Sequence, residues 1–369
     1  MRDYKFKTKP FDHQRKVLED SWSAEFYALF MEMGTGKSKV AIDTIGMLYQ
    51  AKKISAALIL APKGVYDNWV QGEIPAHLPD RIERMVVRWT PSTAKKFQDE
   101  MKALVYEPFD GIKIFVMNIE ALSTPRGTKA AYAFLCKNPS NIMIVDESTT
   151  IKNRKATRTK NIMMLAKDAK YKRILTGSPI TKSPMDLFSQ CMFLSPAALN
   201  FNSYYAFQNR YAIVQKRTMG TRAFQEITGY RRLDELNQKL DRFSNRTLKE
   251  DCLDLPDKMY IRRDVALTDE QKRLYVQMKK LALAKLENGE LATTASVLTQ
   301  IMRLQQICCG HLQPDEGEIQ PVESNRLKEL LEITEELQGK AIIWATYTHD
   351  IQQIASALRH RFGPEAVAT

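Results

Sequence analysis

The sequence predicts an α/β protein built around a parallel β-sheet with helices on both faces. Three observations lead to this class: short apolar runs alternate with amphipathic stretches in the first half of the chain, a glycine-containing loop follows the first apolar run, and acidic or hydroxyl residues follow two later runs. Strands that alternate with helices form parallel sheets, and such sheets bind ligands beyond the carboxyl ends of their strands. We therefore expect one ligand site where these polar residues converge.

The elements are predicted from hydrophobic periodicity, because a period of two indicates a strand and a period near 3.6 indicates a helix. Apolar runs predict strands at residues 26–31, 56–61, 85–88, 113–117, 141–145, 173–176, 259–266 and 341–346. Amphipathic patterns predict helices at residues 37–50, 93–104, 129–137, 157–167, 269–288, 292–308 and 328–337.

The chain of 369 residues is too long for one ordinary core, so several domains are expected. Residues 1–194 form the first α/β unit, and the polar, aromatic-rich residues 195–255 have the pattern of a helical insertion. Residues 256–321 are predicted as a linker and helical region. A second α/β unit begins at 322–369 and has only about two strands, where a parallel unit usually has ~4–6.

Composition limits the possible functions. The 55 Lys and Arg exceed the 43 Asp and Glu by a net charge of +12, which attracts polyanions such as nucleic acid, although it also serves solubility. The five cysteines include no C-x-x-C pair, so neither a disulfide framework nor a zinc site is indicated. No export signal or long apolar run is present, so we expect no membrane partner and a cytoplasmic location, nucleoid-associated or in a host cytoplasm if the protein is viral.

A phosphate-binding loop is predicted at M-E-M-G-T-G-K-S, between the first strand and its helix. The backbone N–H groups of Gly34, Thr35 and Gly36 would face phosphates at the positive end of the helix. Lys37 would reach the β- and γ-phosphates, and the Ser38 hydroxyl would ligate Mg²⁺. An ordinary glycine turn before a helix is the alternative interpretation.

The two acids Asp146 and Glu147 directly follow the strand predicted at residues 141–145. Asp146 would hold Mg²⁺, and Glu147 would orient and deprotonate the attacking water, although an acidic helix cap is the alternative. Thr176 and Ser178 follow another strand and could connect the acids to the surface that binds the next ligand. Gln14 could pair with adenine and select ATP, although a surface glutamine is the commoner explanation.

Together these stretches resemble the Swi/Snf-type DNA-dependent ATPases of the superfamily-two helicases. In the family's order, the resemblance covers the phosphate loop, L-I-L-A-P-K-G-V-Y-D-N-W, D-E-S-T-T-I-K-N, the L-T-G-S-P turn, L-Q-Q-I-C and A-I-I-W-A-T-Y. The pair Lys152 and Asn153 distinguishes this branch from most RNA helicases. Ser148 and Thr149 depart from the family, because they replace its usual small residue and histidine.

The resemblance implies a P-loop NTPase with RecA-like lobes, in which residues 1–194 form the ATP-binding lobe and residues 322–369 begin an incomplete second lobe. It implies ATP and Mg²⁺ as cofactors, double-stranded DNA as partner, and translocation on DNA without strand separation. The candidate DNA contacts are Lys63, Asn118, Arg154 and Lys155.

Several points stay open at this stage. The family's arginine fingers would lie beyond Thr369, so we expect this chain alone to turn over ATP slowly. An RNA helicase of the same superfamily and a nucleotide-gated nucleic-acid-binding module without turnover are the alternatives. The compact layout hints at a bacterial or phage origin, while the object that the motor moves and any protein partner stay unassigned.

Overall fold

The computed structural model describes residues 3–219, 222–254, 256–287, 294–314 and 317–369. The chain divides into two compact units, Met1–Pro256 and Asp257–Thr369. None of the described helices is long and apolar enough to cross a membrane.

The first unit contains a seven-stranded parallel sheet with the order β3-β4-β2-β5-β6-β1-β9. In chain order the strands of this unit are β1 (Phe26–Met31), β2 (Ala56–Ala61), β3 (Arg84–Arg88), β4 (Ile112–Asn118), β5 (Asn141–Asp146), β6 (Tyr171–Leu175), β7 (Ala212–Met219), β8 (Arg222–Tyr230) and β9 (Ser244–Thr247). Its helices are α1 (Asp12–Ser21), α2 (Lys37–Gln50), α3 (Tyr66–Asn68), α4 (Ile74–His77), α5 (Lys95–Tyr106), α6 (Pro125–Lys137), α7 (Thr157–Leu165), α8 (Leu187–Leu194), α9 (Tyr204–Tyr211) and α10 (Leu233–Leu240).

Both faces of this sheet are covered, which confirms the predicted fold class. In β5, Ile142 and Ile144 belong to the hydrophobic cluster that also contains residues of α1, α2 and α4. Met143 and Val145 belong to the opposite cluster, with residues of α5, α6, α7 and α8. Alternate side chains of a strand point to opposite faces, so a strand buried on both sides is apolar throughout. The structure also contains all six strands that were predicted before residue 177, with ends within two residues of the prediction.

The segment 195–255 is not the helical insertion that we predicted. Among its described residues, only α9 and α10 are helical, while β7 and β8 pair as an antiparallel hairpin. The last strand, β9, adds to the sheet beside β1, where Ala28 pairs with Ser244 and Met31 pairs with Thr247. An edge strand has only one neighbour and can be polar, so S-N-R-T carries no apolar signal.

The second unit is mainly helical. Its elements are α11 (Asp269–Glu287), α12 (Thr294–Cys309), β10 (His311–Leu312), β11 (Gln320–Pro321), α13 (Arg326–Glu336) and α14 (Thr348–Phe362). The helices predicted at 269–288, 292–308 and 328–337 are present as α11, α12 and α13, although residues 288, 292 and 293 lie outside the described part of the chain.

Two strands predicted in the second unit do not form. Residues 259–266 and 341–346 do not form strands. In the second of these runs, Ile342 and Trp344 are 82% and 90% exposed. A strand requires a neighbour for its backbone hydrogen bonds. In the described part of this unit, the only paired strands are the two-residue β10 and β11, so neither apolar run has a strand beside it.

Candidate nucleotide-binding site

The loop between β1 and α2 has the backbone shape of a phosphate cradle. Gly34 and Gly36 have φ angles of 86° and 90°, in the left-handed region that favours glycine. A Cβ atom at Gly36 would lie only 2.2 Å from Nε2 of Gln14, so a side chain there would displace that amide as well as strain the backbone. Lys37 and Ser38 begin α2, whose first N–H groups have no partner within the helix. The loop therefore presents a helix N-terminus and one lysine to an anion. The N–H of Thr35, which we predicted to face the phosphates, instead donates to the carbonyl oxygen of Glu32 at 3.2 Å.

Helix α1 holds this loop in place. Gln14 is buried, and its Nε2 donates to the carbonyl oxygen of Thr35 at 3.1 Å, while its Oε1 accepts from the N–H of Phe11 at 3.0 Å. Nε2 of His13 lies 2.8 Å from the same Thr35 oxygen. The amide of Gln14 has one further N–H and one further lone pair. These are the groups that the predicted contact with adenine would use.

The two acids lie at the carboxyl end of β5. Oδ2 of Asp146 accepts from Nε1 of Trp69 at 2.9 Å, and its Oδ1 accepts from the backbone N–H of Glu147 at 2.9 Å. Burial raises the pKa of Asp146 above its usual range, opposed by the hydrogen bond from Trp69 and by the charge of Lys37. The carboxylate is thus fixed by one donor on each oxygen and lies within electrostatic reach of the phosphate-loop lysine.

Glu147 adopts a strained backbone conformation, with φ 45° and ψ 61°. Its Oε2 accepts from Oγ1 of Thr176 at 3.2 Å, and that hydroxyl oxygen accepts from the backbone N–H of Ser178 at 3.2 Å. Thr176 directly follows β6, which lies between β5 and β1 in the sheet. The structure therefore joins the acids to the L-T-G-S-P turn, through the hydroxyl of Thr176 and the backbone, not the side chain, of Ser178.

The available donors fit a magnesium ion that is shared with a nucleotide. Ser38 and Asp146 supply hard oxygen atoms, which Mg²⁺ prefers, and Mg²⁺ usually completes its octahedron with phosphates and water. Among the described residues, no group of three or more His, Cys, Asp or Glu side chains could hold a metal by itself. The site thus suits Mg²⁺ brought with a triphosphate rather than a dedicated metal cage.

Two residues beside the site were not found by sequence reasoning. Trp69 belongs to the recognised L-I-L-A-P-K-G-V-Y-D-N-W stretch, but its hydrogen bond to Asp146 spans 77 positions. Lys249 follows β9, and its N–H donates to Oε2 of Glu32 at 2.8 Å, while its Cε lies 3.4 Å from where a Cβ of Gly34 would be. Pairing of β9 with β1 brings this lysine to the loop.

The candidate DNA contacts also lie near the carboxyl edge of the sheet. Lys63 follows β2 and is exposed, and Asn118 ends the neighbouring strand β4, where its Nδ2 donates to Oε2 of Glu120 at 3.2 Å. Lys155 is exposed in the loop after the acids. The guanidinium of Arg154 lies 4.4 Å from the ring centroid of Tyr204 on α9.

The fold defines a RecA-like α/β protein, with a glycine-containing loop after β1 and paired acids at the end of β5. More specifically, the chain belongs to the SNF2-related domain family, whose sequence profile matches residues 21–313. The expected relationship to the Swi/Snf-type ATPases of superfamily two is thereby confirmed.

Similar proteins include the chromatin-remodeling ATPase INO80 of Candida albicans, 25% identical over 80% of this chain and 21% of that protein. The helicase-like transcription factor of Homo sapiens is 30% identical over 80% of this chain and 28% of that protein. This chain thus spans less than a third of the length of either relative.

The fold is similar to the solved Sulfolobus solfataricus SWI2/SNF2 ATPase core in complex with dsDNA. The TM-score is 0.53 at 20% sequence identity, and the match covers 98% of this chain and 72% of that chain.

Proposed function

We propose that this chain binds ATP with Mg²⁺ and carries the ATP-hydrolysing residues of a motor that moves along double-stranded DNA, and that the chain alone turns over ATP slowly. The observation that carries the proposal is the convergence of Lys37, Asp146 and Glu147 at the carboxyl ends of β1 and β5. At the family level, relatives named as an ATPase and as helicase-like proteins support an ATP-driven motor that acts on DNA.

Each residue of the site has a distinct task in phosphoryl transfer, which depends on positioning and charge neutralisation. Lys37 contacts the β- and γ-phosphates, and Ser38 and Asp146 hold the magnesium ion. Glu147 orients the attacking water and accepts its proton. When bound, Mg²⁺ neutralises charge on the β- and γ-phosphate oxygens.

Duplex DNA is the proposed partner because the chain carries a net charge of +12 and exposes lysines near the nucleotide site. Lys63, Asn118, Arg154 and Lys155 are the proposed phosphate contacts. Such contacts are insensitive to base sequence and strongly salt-dependent. Stacking on Tyr204 orients the guanidinium of Arg154. Both residues are partly exposed, so a phosphate can replace this contact.

The partner is tested by fluorescence anisotropy with labelled duplex DNA at several salt concentrations. Each phosphate contact contributes about 0.9 to the slope of log affinity against log salt, so R154A/K155A should lower the slope by about 1.8. The matched control is K102A/K129A, which removes two exposed lysines from α5 and α6. A salt-independent affinity, or equal slopes for the two variants, would contradict these contacts. Preference for duplex RNA would favour an RNA helicase instead.

A further inference from the structure

A buried side-chain bridge connects residues 147–152, the acid turn, to α8. Oγ of Ser148 donates to Oε1 of Gln190 at 2.7 Å, and neither residue has any exposed surface. Nε2 of Gln190 donates to the carbonyl oxygens of Pro179 at 2.8 Å and Asp186 at 2.9 Å. Both N–H groups of the amide and its oxygen therefore have partners. Because an unpaired polar group is costly in such a site, the bridge fixes the position of Ser148.

The same helix holds the other end of the acid turn. Oγ of Ser189 donates to the carbonyl oxygen of Lys152 at 3.2 Å, and Ser189 is also buried. Nζ of Lys152 donates to Oγ1 of Thr181, beyond the L-T-G-S-P turn. Two consecutive residues of α8 thus fix both ends of the one-turn helix Ser148–Ile151 that follows Glu147.

Glu147 requires such support because its backbone is in the left-handed region, which residues other than glycine rarely occupy. Strained conformations persist only where surrounding contacts enforce them. The residue that follows Glu147 is Ser148, so the bridge to Gln190 acts one peptide from the strained position. Ser148 and Thr149 also stand where the resembling family has a small residue and a histidine.

We propose that Gln190, acting through Ser148, is a positioning residue that holds Glu147 in the conformation required for ATP hydrolysis. The inference rests on the proposed function, since it assigns support for the same reaction. Gln190 touches neither the nucleotide loop nor the acids directly, and it links the acid turn to Pro179 of the L-T-G-S-P turn. Loss of the bridge should therefore slow hydrolysis without weakening nucleotide binding.

The test compares S148A and S148A/Q190L with the wild type. S148A leaves Oε1 of Gln190 buried without its donor, whereas the double variant removes both members of the bridge. The control S21A removes a buried serine hydroxyl that donates to the carbonyl oxygen of Val17 in α1, away from the acid turn. Thermal unfolding, calorimetric affinity for ATP with Mg²⁺, and single-turnover hydrolysis are measured for each protein.

We expect both bridge variants to keep ATP affinity within about twofold while hydrolysis slows by about tenfold or more, as misplaced catalytic groups do. S21A should hydrolyse ATP at the wild-type rate. Should S148A fail to fold, the double variant carries the test, because it leaves no unpaired side-chain group at position 148 or 190. The carbonyl oxygens of Pro179 and Asp186 lose their donor in this variant, and thermal unfolding measures the effect of that loss on stability. Wild-type hydrolysis by the double variant would overturn the inference.

Failure of the proposed function gives a different result. If the wild type hydrolyses ATP no faster than E147Q, the assignment of Glu147 is wrong, and the inference falls with it. If the wild type is faster than E147Q and the double variant equals the wild type, only the role of Gln190 is rejected.

Discussion

Lys37 is the residue through which the phosphate loop can be tested most simply. It is the first residue of α2 and the only lysine or arginine within the loop sequence. Loss of one charge-assisted contact to a phosphate costs about 1.5–3 kcal/mol, so K37A should bind ATP with Mg²⁺ roughly ten- to a hundredfold more weakly. Calorimetric titration measures this change, with K129A on α6 as the control. Unchanged affinity in K37A would remove the loop from the site.

The hydrogen bond from Trp69 affects the pKa of Asp146. Burial raises the pKa of Asp146, and the hydrogen bond from Nε1 of Trp69 opposes that shift. Mg²⁺ binding requires the carboxylate, so affinity for ATP with Mg²⁺ should be lost as the pH falls through this raised pKa. W69F removes the donor, raises the pKa further and moves the loss to higher pH.

The measurement is calorimetric affinity for ATP with Mg²⁺ in a pH series that starts near the ordinary pKa of an aspartate, about 4, and rises to about pH 8. The control is W22F, because Trp22 lies at the end of α1 and packs against Lys53. If the affinity of W69F for ATP with Mg²⁺ falls over the same pH range as that of the wild type, Trp69 does not influence the pKa of Asp146.

Among the elements, the strands β1 to β6 were predicted well because each is an apolar run bounded by polar turns. The hairpin of β7 and β8 was missed because helical and strand patterns compete in a polar, aromatic-rich segment. The strand β9 was missed because pairing with β1, rather than its own four residues, determines its conformation. The run 341–346 has strand propensity but no strand beside it in the described second unit. Local pattern is thus sufficient only where the neighbouring strand is also present.

Arg173 on β6 fixes the connection between α1 and β1. Its side chain is fully buried, and its guanidinium donates to the carbonyl oxygens of Ser21 at 2.7 Å, Ala24 at 2.8 Å and Lys172 at 2.8 Å. Burial lowers the pKa of Arg173 to about 9. We expect R173M to lower the free energy of unfolding by about 3 kcal/mol, because several buried carbonyl groups lose their donors.

Urea denaturation checks this loss of stability. The matched control is K172M, which changes the neighbouring, half-buried lysine. The free energies of unfolding of the two variants are then compared. A difference of less than about 1 kcal/mol, the size of a single hydrogen bond, would show that the hydrogen bonds of Arg173 are dispensable.

For the whole molecule, the position of the site could be predicted because parallel strands end at the same edge of the sheet. The loops after β1, β5 and β6 carry the lysine, the acids and Thr176, and the order β5-β6-β1 places them side by side. The supporting contacts could not be predicted, since Trp69 with Asp146 and Ser148 with Gln190 join segments far apart in sequence. Such pairs follow from tertiary packing, which a single sequence does not reveal.

The central claim is that these residues form an ATP-hydrolysing site, and single-turnover hydrolysis tests it most directly. The protein is held in excess over labelled ATP with Mg²⁺, so that slow product release does not mask the chemical step. E147Q keeps the shape of the side chain and removes the base, so it should bind ATP normally and hydrolyse it at least about a hundredfold more slowly than the wild type. Equal rates for the wild type and E147Q would contradict the assignment of Glu147 and the proposed mechanism.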